Sequence, residues 1–163
     1  MKKVIFTSWI VFFSSISFAQ LVQGELTIKE QSKLELSLQS GKAVNLYADF
    51  RENKYPIQFA FTGNAIPLNS DKKMVVQFEF TTILKKDGQL VRTIKRNPIP
   101  FFPGDMFMPV ETFDFISILS NLEKNPANKI SEIPKGNYEI ILQAKPIDVK
   151  GEIKPVRLLI TVS

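Results

Sequence analysis

Ile133-Pro134-Lys135-Gly136-Asn137-Tyr138-Glu139-Ile140-Ile141-Leu142-Gln143-Ala144 is the stretch that decides the fold. Pro, Gly and Asn write a turn, and an aromatic residue then opens an apolar run. Tyr138, Ile140, Leu142 and Ala144 alternate with Glu139, Ile141 and Gln143, the two-residue period of a strand with a buried and a wetter face. The period predicts a strand that starts at Tyr138.

Downstream, a hairpin is expected around Asp148 to Gly151, and a final strand over Val156 to Val162, where Val156, Leu158, Ile160 and Val162 share one face. Upstream, Met74 to Lys86 is the longest strand expected. Val76, Phe78, Phe80, Thr82 and Leu84 lie on one face, and Asp87-Gly88 follows directly. Asp-Gly between alternating runs is a strong hairpin signal, because both residues of that turn need positive φ. Leu90, Arg92 and Ile94 continue as the return strand.

Nearer the N-terminus, Leu26 to Leu38 reads as the first strand region. Val44, Leu46, Ala48 and Phe50 alternate as a second, and Ile57, Phe59 and Phe61 as a third. Asn97 to Pro109 breaks the pattern, since Pro98, Pro100, Pro103 and Pro109 forbid a central strand or a helix interior. Glu111 to Leu122 fits two periods. Phe113 and Phe115 suit a strand, whereas Phe115, Ile118, Leu119 and Leu122 suit a helix face; the strand is favoured by the β character of the rest. Glu123 to Ser131 reads as a polar loop. The fold class expected is all-β, in one domain over residues 20–163.

Met1 to Ala19 reads as a signal peptide. Lys2-Lys3 give a positive start, Val4 to Phe13 a short apolar run, and Ser17-Phe18-Ala19 a peptidase site with Gln20 behind it. Cleavage after Ala19 is expected, with the mature protein periplasmic or secreted and without a transmembrane span. The chain has no Cys and no His. That removes disulfides, a lipoprotein anchor, thiol nucleophiles, Ser-His-Asp catalysis and imidazole or thiolate metal sites. The net charge of +5 falls to about +3 once Lys2 and Lys3 are gone, a mildly basic balance.

The run Thr81 to Val91 with its Asp-Gly turn, followed by Ile133-Pro134-Lys135-Gly136-Asn137-Tyr138, resembles small bacterial immunoglobulin-like domains, among them fibronectin type III-like modules and bacterial proteinase-inhibitor sandwiches. The resemblance spans about the last half of the mature chain. It implies a single immunoglobulin-like antiparallel β-sandwich of seven or eight strands, with the Tyr138 phenol placed to bond back to the backbone just upstream.

Three groups of residues could carry function. Asp105, Glu111 and Asp114 are the nearest approach to a carboxylate cluster, for acid-base work or calcium, and read more simply as exposed charges. Lys85, Lys86, Arg92, Lys95 and Arg96 concentrate on one hairpin and suit a polyanion or, without any ligand, protection of a sheet edge. Phe101, Phe102, Met106, Phe107 and Met108 form the third group, large apolar side chains in a Pro-stiffened loop. A stiff loop loses little entropy on binding. The group is therefore either a recognition loop or a cap over one end of the core.

The function expected is a non-enzymatic interaction module of the cell envelope, with another envelope or extracellular protein as partner and no cofactor, metal or nucleic acid. A carbohydrate-binding module is the alternative. Sugar platforms favour Trp and Tyr, and Trp9, the chain's one Trp, lies in the signal segment.

Overall fold

A computed structural model describes residues 21–40, 45–119 and 133–163. The signal segment and the polar loop expected over Glu123 to Ser131 fall outside these residues. The described chain is mostly β, in two sheets that face each other across one core.

The first sheet contains β1 (Leu21–Ile28), β3 (Ile57–Asn64), β7 (Gly104–Met108) and β9 (Lys150–Lys154), in the order β7-β3-β1-β9. The second contains β2 (Lys33–Leu38), β4 (Val76–Lys86), β5 (Gln89–Lys95), β8 (Gly136–Pro146) and β10 (Val156–Val162), in the order β2-β10-β8-β4-β5; β6 (Ile99–Phe101) shares the β5 edge of β4. Inward residues alternate as their period requires. Val76, Phe78, Phe80, Thr82 and Leu84 of β4 are buried, as are Val156, Leu158, Ile160 and Val162 of β10. Phe59 of β3 meets Phe78 of β4 edge-on at 5.0 Å between ring centres, and Phe61 meets Phe78 at 4.8 Å. Such edge-to-face pairs add about 0.5–1.5 kcal/mol each beyond the area they bury.

Both turn readings are present. Asp87 and Gly88 have φ of 48° and 81°, and Lys86 faces Gln89 across the turn. The Tyr138 hydroxyl donates to the Pro134 carbonyl at 2.7 Å, and the ring is buried. The two turns touch. The Asp87 N–H donates to the Asn137 carbonyl at 2.7 Å, and the Asn137 N–H donates to the Asp87 carboxylate at 2.9 Å. Gly136 sits beside this clasp at φ 146°, where a Cβ would lie 2.9 Å from Lys86 Cε.

Five expectations need correction. Leu26 to Leu38 is not one strand region. Lys29 and Glu30 take φ of 51° and 63°, and this tight turn sends β1 into one sheet and β2 into the other. Val44 to Phe50 is not a strand where it is described: Leu46–Arg51 forms helix α1. The Asn45 side chain accepts from the Ala48 N–H at 3.0 Å, capping the helix, and Leu46 and Phe50 fall on one buried face. Glu111 to Leu122 is not a strand either where it is described, over residues 111–119. Val110–Phe113 forms a 3-10 turn and Phe115–Leu119 helix α2, separated by Asp114 at φ 51°. The Pro-rich segment carries β6 and β7, because proline is tolerated at a sheet edge. Finally, the strands are not all antiparallel, and ten are described rather than seven or eight. The segment after Asp148 leaves the expected hairpin to run parallel with β1 as β9, and β10 runs parallel with β2. Two adjacent chain segments thus pass together from one sheet to the other.

The helices complete the core near the start of β3. Phe50 and Phe115 are 4.6 Å apart, and Phe113 packs on Phe80 at 5.5 Å. The buried Thr82 hydroxyl donates to the Phe113 carbonyl at 2.7 Å. No described helix is long and apolar enough to cross a membrane.

Candidate functional site

The chain passes from the second sheet to the first through Phe102-Pro103, between β6 on β4 and β7 on β3. That crossing divides the five apolar residues singled out from the sequence. Phe101 points inward, with ring centres 5.8 Å from Phe59 and 5.5 Å from Phe80. Met106 packs against the core and Met108 is buried. Phe102 is 54% exposed and Phe107 69% exposed. Strand alternation explains the split along β7: Met106 and Met108 face in, Asp105 and Phe107 face out. The segment is thus a core cap through three side chains and presents the other two to solvent. Lys73 Nζ lies 5.7 Å from the centre of the Phe102 ring, within cation–π range.

Phe107 and Asp105 belong to the outer face of the first sheet. The register places Asp105, Ala60, Glu25 and Lys154 in one row across β7, β3, β1 and β9. Phe107, Gln58 and Thr27 form the next row, where the Thr27 hydroxyl donates to Gln58 Oε1 at 3.3 Å. Ala60 is small, and the longer side chains around it leave a depression. The result is a cleft of about 960 Å³ whose lining includes Gln23, Glu25, Thr62, Asp105 and Lys154, with Met74 and Pro103 at its margin. Glu152 also lines it. Among the described residues, Glu25, Asp105, Glu152 and Lys154 make no ion pair and no side-chain hydrogen bond. Three carboxylates against one ammonium leave the cleft acidic on a basic chain, with Lys150 on the same sheet face outside it. Sequence reasoning missed the cleft, because it is assembled from strands distant in the chain; the small Ala60 within a run of larger residues is its only local trace.

The carboxylates considered as a cluster are dispersed. Asp105 lines the cleft. Glu111 accepts a hydrogen bond from the Tyr47 hydroxyl at 3.1 Å. Asp114 accepts from the Ser117 hydroxyl at 2.8 Å and lies 3.6 Å from Arg96. Among the described residues no three carboxylates gather as metal ligands. Partial burial raises the Tyr47 phenol above its ordinary pKa, and the Glu111 carboxylate adds to this through the hydrogen bond and its charge.

The basic hairpin is largely occupied within the fold. Lys85 pairs with Glu139 at 3.2 Å, Lys95 with Glu79 at 3.1 Å and Arg96 with Asp114, while Lys86 Nζ lies 5.3 Å from the Tyr138 ring centre. Arg92 is exposed on the edge strand β5.

No family model matches the chain, and no curated protein is similar to it in sequence.

Proposed function

We propose that the chain is an exported, non-enzymatic interaction module of the bacterial cell envelope, built as an immunoglobulin-like sandwich and binding another protein through the surface around Phe102 and Phe107. The observation that carries this reading is the exposure of Phe107, 69%, although it is the fourth residue of the five in β7 and is held in register with Gln58 of β3. A large aromatic side chain held on a stiff strand beside a cleft gives apolar contact at little entropic cost. The immunoglobulin-like part draws support from the Tyr138 bond to Pro134 and from the passage of the first and last strand segments between sheets. Export draws support from the Lys2-Lys3, apolar-run and Ser17-Phe18-Ala19 series.

The test has two arms. N-terminal sequencing of the exported protein should begin at Gln20, and Met1 retained in a membrane fraction would remove the export reading. Immobilised mature protein should retain a partner from envelope extract, and Phe102→Ala and Phe107→Ala should lose it while unfolding at the wild-type denaturant midpoint. Retention by both variants equal to wild type would refute this surface as the binding site.

A further inference from the structure

The four sheet borders are not equally guarded. An edge strand exposes unpaired N–H and C=O groups, and proteins blunt such edges with Lys, Pro, bulges or charge. β9 carries Lys150 and Lys154. β2 carries Lys33, ion-paired with Glu35 at 2.7 Å. β5 carries Arg92 and Lys95 and a register shift opposite Leu84 and Lys85, and β6 on the same border contains Pro100. β7, Gly-Asp-Met-Phe-Met, lies between Pro103 and Pro109 and carries one charge, Asp105, but it has no Lys, no Arg, no internal Pro and an unbroken register with β3 from Gly104 to Met108. Among the described residues it pairs with β3 alone, so its other border is unpaired. It also carries the most exposed large apolar side chain described, Phe107.

We infer that the free border of β7 takes an extended strand from a partner protein, with a basic side chain beside Asp105 and an apolar one beside Phe107. The chemistry of each element specifies its occupant. Unpaired main-chain groups on alternate residues of this five-residue strand call for another extended main chain. On the outer face an added strand places alternate side chains next to Asp105 and Phe107, two residues apart. Asp105 is unpaired and sits in a row with Glu25, so a cation there meets a carboxylate that the fold itself leaves uncompensated. An acidic residue in the same place meets like charge. The inference rests on the reading that this surface binds a protein, and adds to it the strand geometry and the charge of the bound segment.

The mature protein is titrated with the synthetic peptide Thr-Lys-Thr-Leu-Thr-Lys-Thr, with its analogue bearing Glu for Lys, and with an analogue N-methylated at alternate amides. Amide hydrogen exchange is read over β7. The Lys peptide should slow exchange in β7, and it should bind about tenfold more tightly than the Glu peptide at low salt. The N-methylated peptide should fail, and Asp105→Lys should abolish the preference for Lys. Equal binding of the Lys and Glu peptides, binding without added protection in β7, or no binding at millimolar peptide each overturns strand addition. Hydrogen exchange on the complex captured from envelope extract separates the two levels. Capture that depends on Phe107 but leaves β7 exchange unchanged keeps the interaction surface and removes the added strand. Capture indifferent to Phe102→Ala and Phe107→Ala removes the surface itself.

Discussion

Tyr138→Phe deletes one oxygen and keeps the ring, so it isolates the bond that closes the Pro134–Tyr138 corner. The hydroxyl donates to the Pro134 carbonyl at 2.7 Å, a short neutral bond, and Tyr138 is 3% exposed. A neutral hydrogen bond contributes about 0.5–1.5 kcal/mol net, and an acceptor stranded away from water costs about 1–3 kcal/mol. The bond is only part-buried, so water regains some access to the carbonyl once the hydroxyl is gone. Lys86 above the ring at 5.3 Å is retained by Phe. These terms place the loss at about 1–2 kcal/mol. With a urea slope of about 1–3 kcal/mol/M, the midpoint should fall by roughly 0.3–2 M with the slope unchanged. Tyr47→Phe is the internal control: its hydroxyl bonds Glu111 at the exposed surface, and its midpoint should move much less than that of Tyr138→Phe. An unchanged midpoint for Tyr138→Phe, or an equal fall in both variants, would refute the corner as a stabilising element.

Truncations of the Pro-rich crossing should divide by orientation: Phe101→Ala and Met108→Ala should each cost about 2–4 kcal/mol in equilibrium unfolding. Phe102→Ala and Phe107→Ala should stay within about 0.5 kcal/mol of wild type. Thr82→Val, in place of a residue 1% exposed, leaves the Phe113 carbonyl unpaired and should cost about 1–3 kcal/mol by the same measurement. In an ultraviolet phenol titration the Tyr47 phenol should ionise above its ordinary range, and that component should vanish in Tyr47→Phe and shift down in Glu111→Gln. The linked sign is fixed. A phenol whose folded pKa is raised contributes stability in full below the unfolded pKa and loses it as pH rises through the folded one.

Local chemistry explains which parts of this fold can be read from sequence. The alternation of Val156 to Val162 and the Asp87-Gly88 turn are each set by residues close in the chain, and both are present. Leu46 and Phe50 satisfy two periods at once, since residues four apart share a face in a strand and in a helix. Asn45, capping Ala48, decides for the helix. The break between β1 and β2 has no glycine to mark it; Lys29 and Glu30 adopt positive φ because the chain must change sheets there. Phe115 and Ile118, both buried, keep the helical spacing that a β-rich context argued against. For the candidate site, the sequence singled out the Pro-rich segment but could not orient its side chains. The inward set is fixed by the pairing of β7 with β3, a contact between residues more than forty positions apart. The free border of β7 follows from sheet order, which no local pattern carries.

The two outer faces use their charges differently, and the difference bears on where a partner would bind. Across the second sheet, Glu139 lies between Lys85 at 3.2 Å and Arg157 at 3.5 Å, Glu79 holds Lys95, and Lys33 holds Glu35. Across the first, Glu25 and Lys154 are register partners on neighbouring strands, yet they form no ion pair, and Asp105 and Glu152 are likewise uncompensated among the described residues. Exposed ion pairs contribute only about 0–1 kcal/mol each, so stability does not explain the contrast. Pairing nonetheless matters to a ligand, because charges already paired must be separated or left in place when a new partner arrives, whereas unpaired charges are available in full. The first sheet's outer face therefore offers an incoming cation more than the second offers an incoming anion, despite the chain's basic net charge. The same face adjoins the border without Lys and bears Phe107. A partner that meets the cleft, the aromatic ring and the open main chain together gains from all three in one approach, which is why the β7 side, rather than the basic β4–β5 hairpin, is the surface to test first.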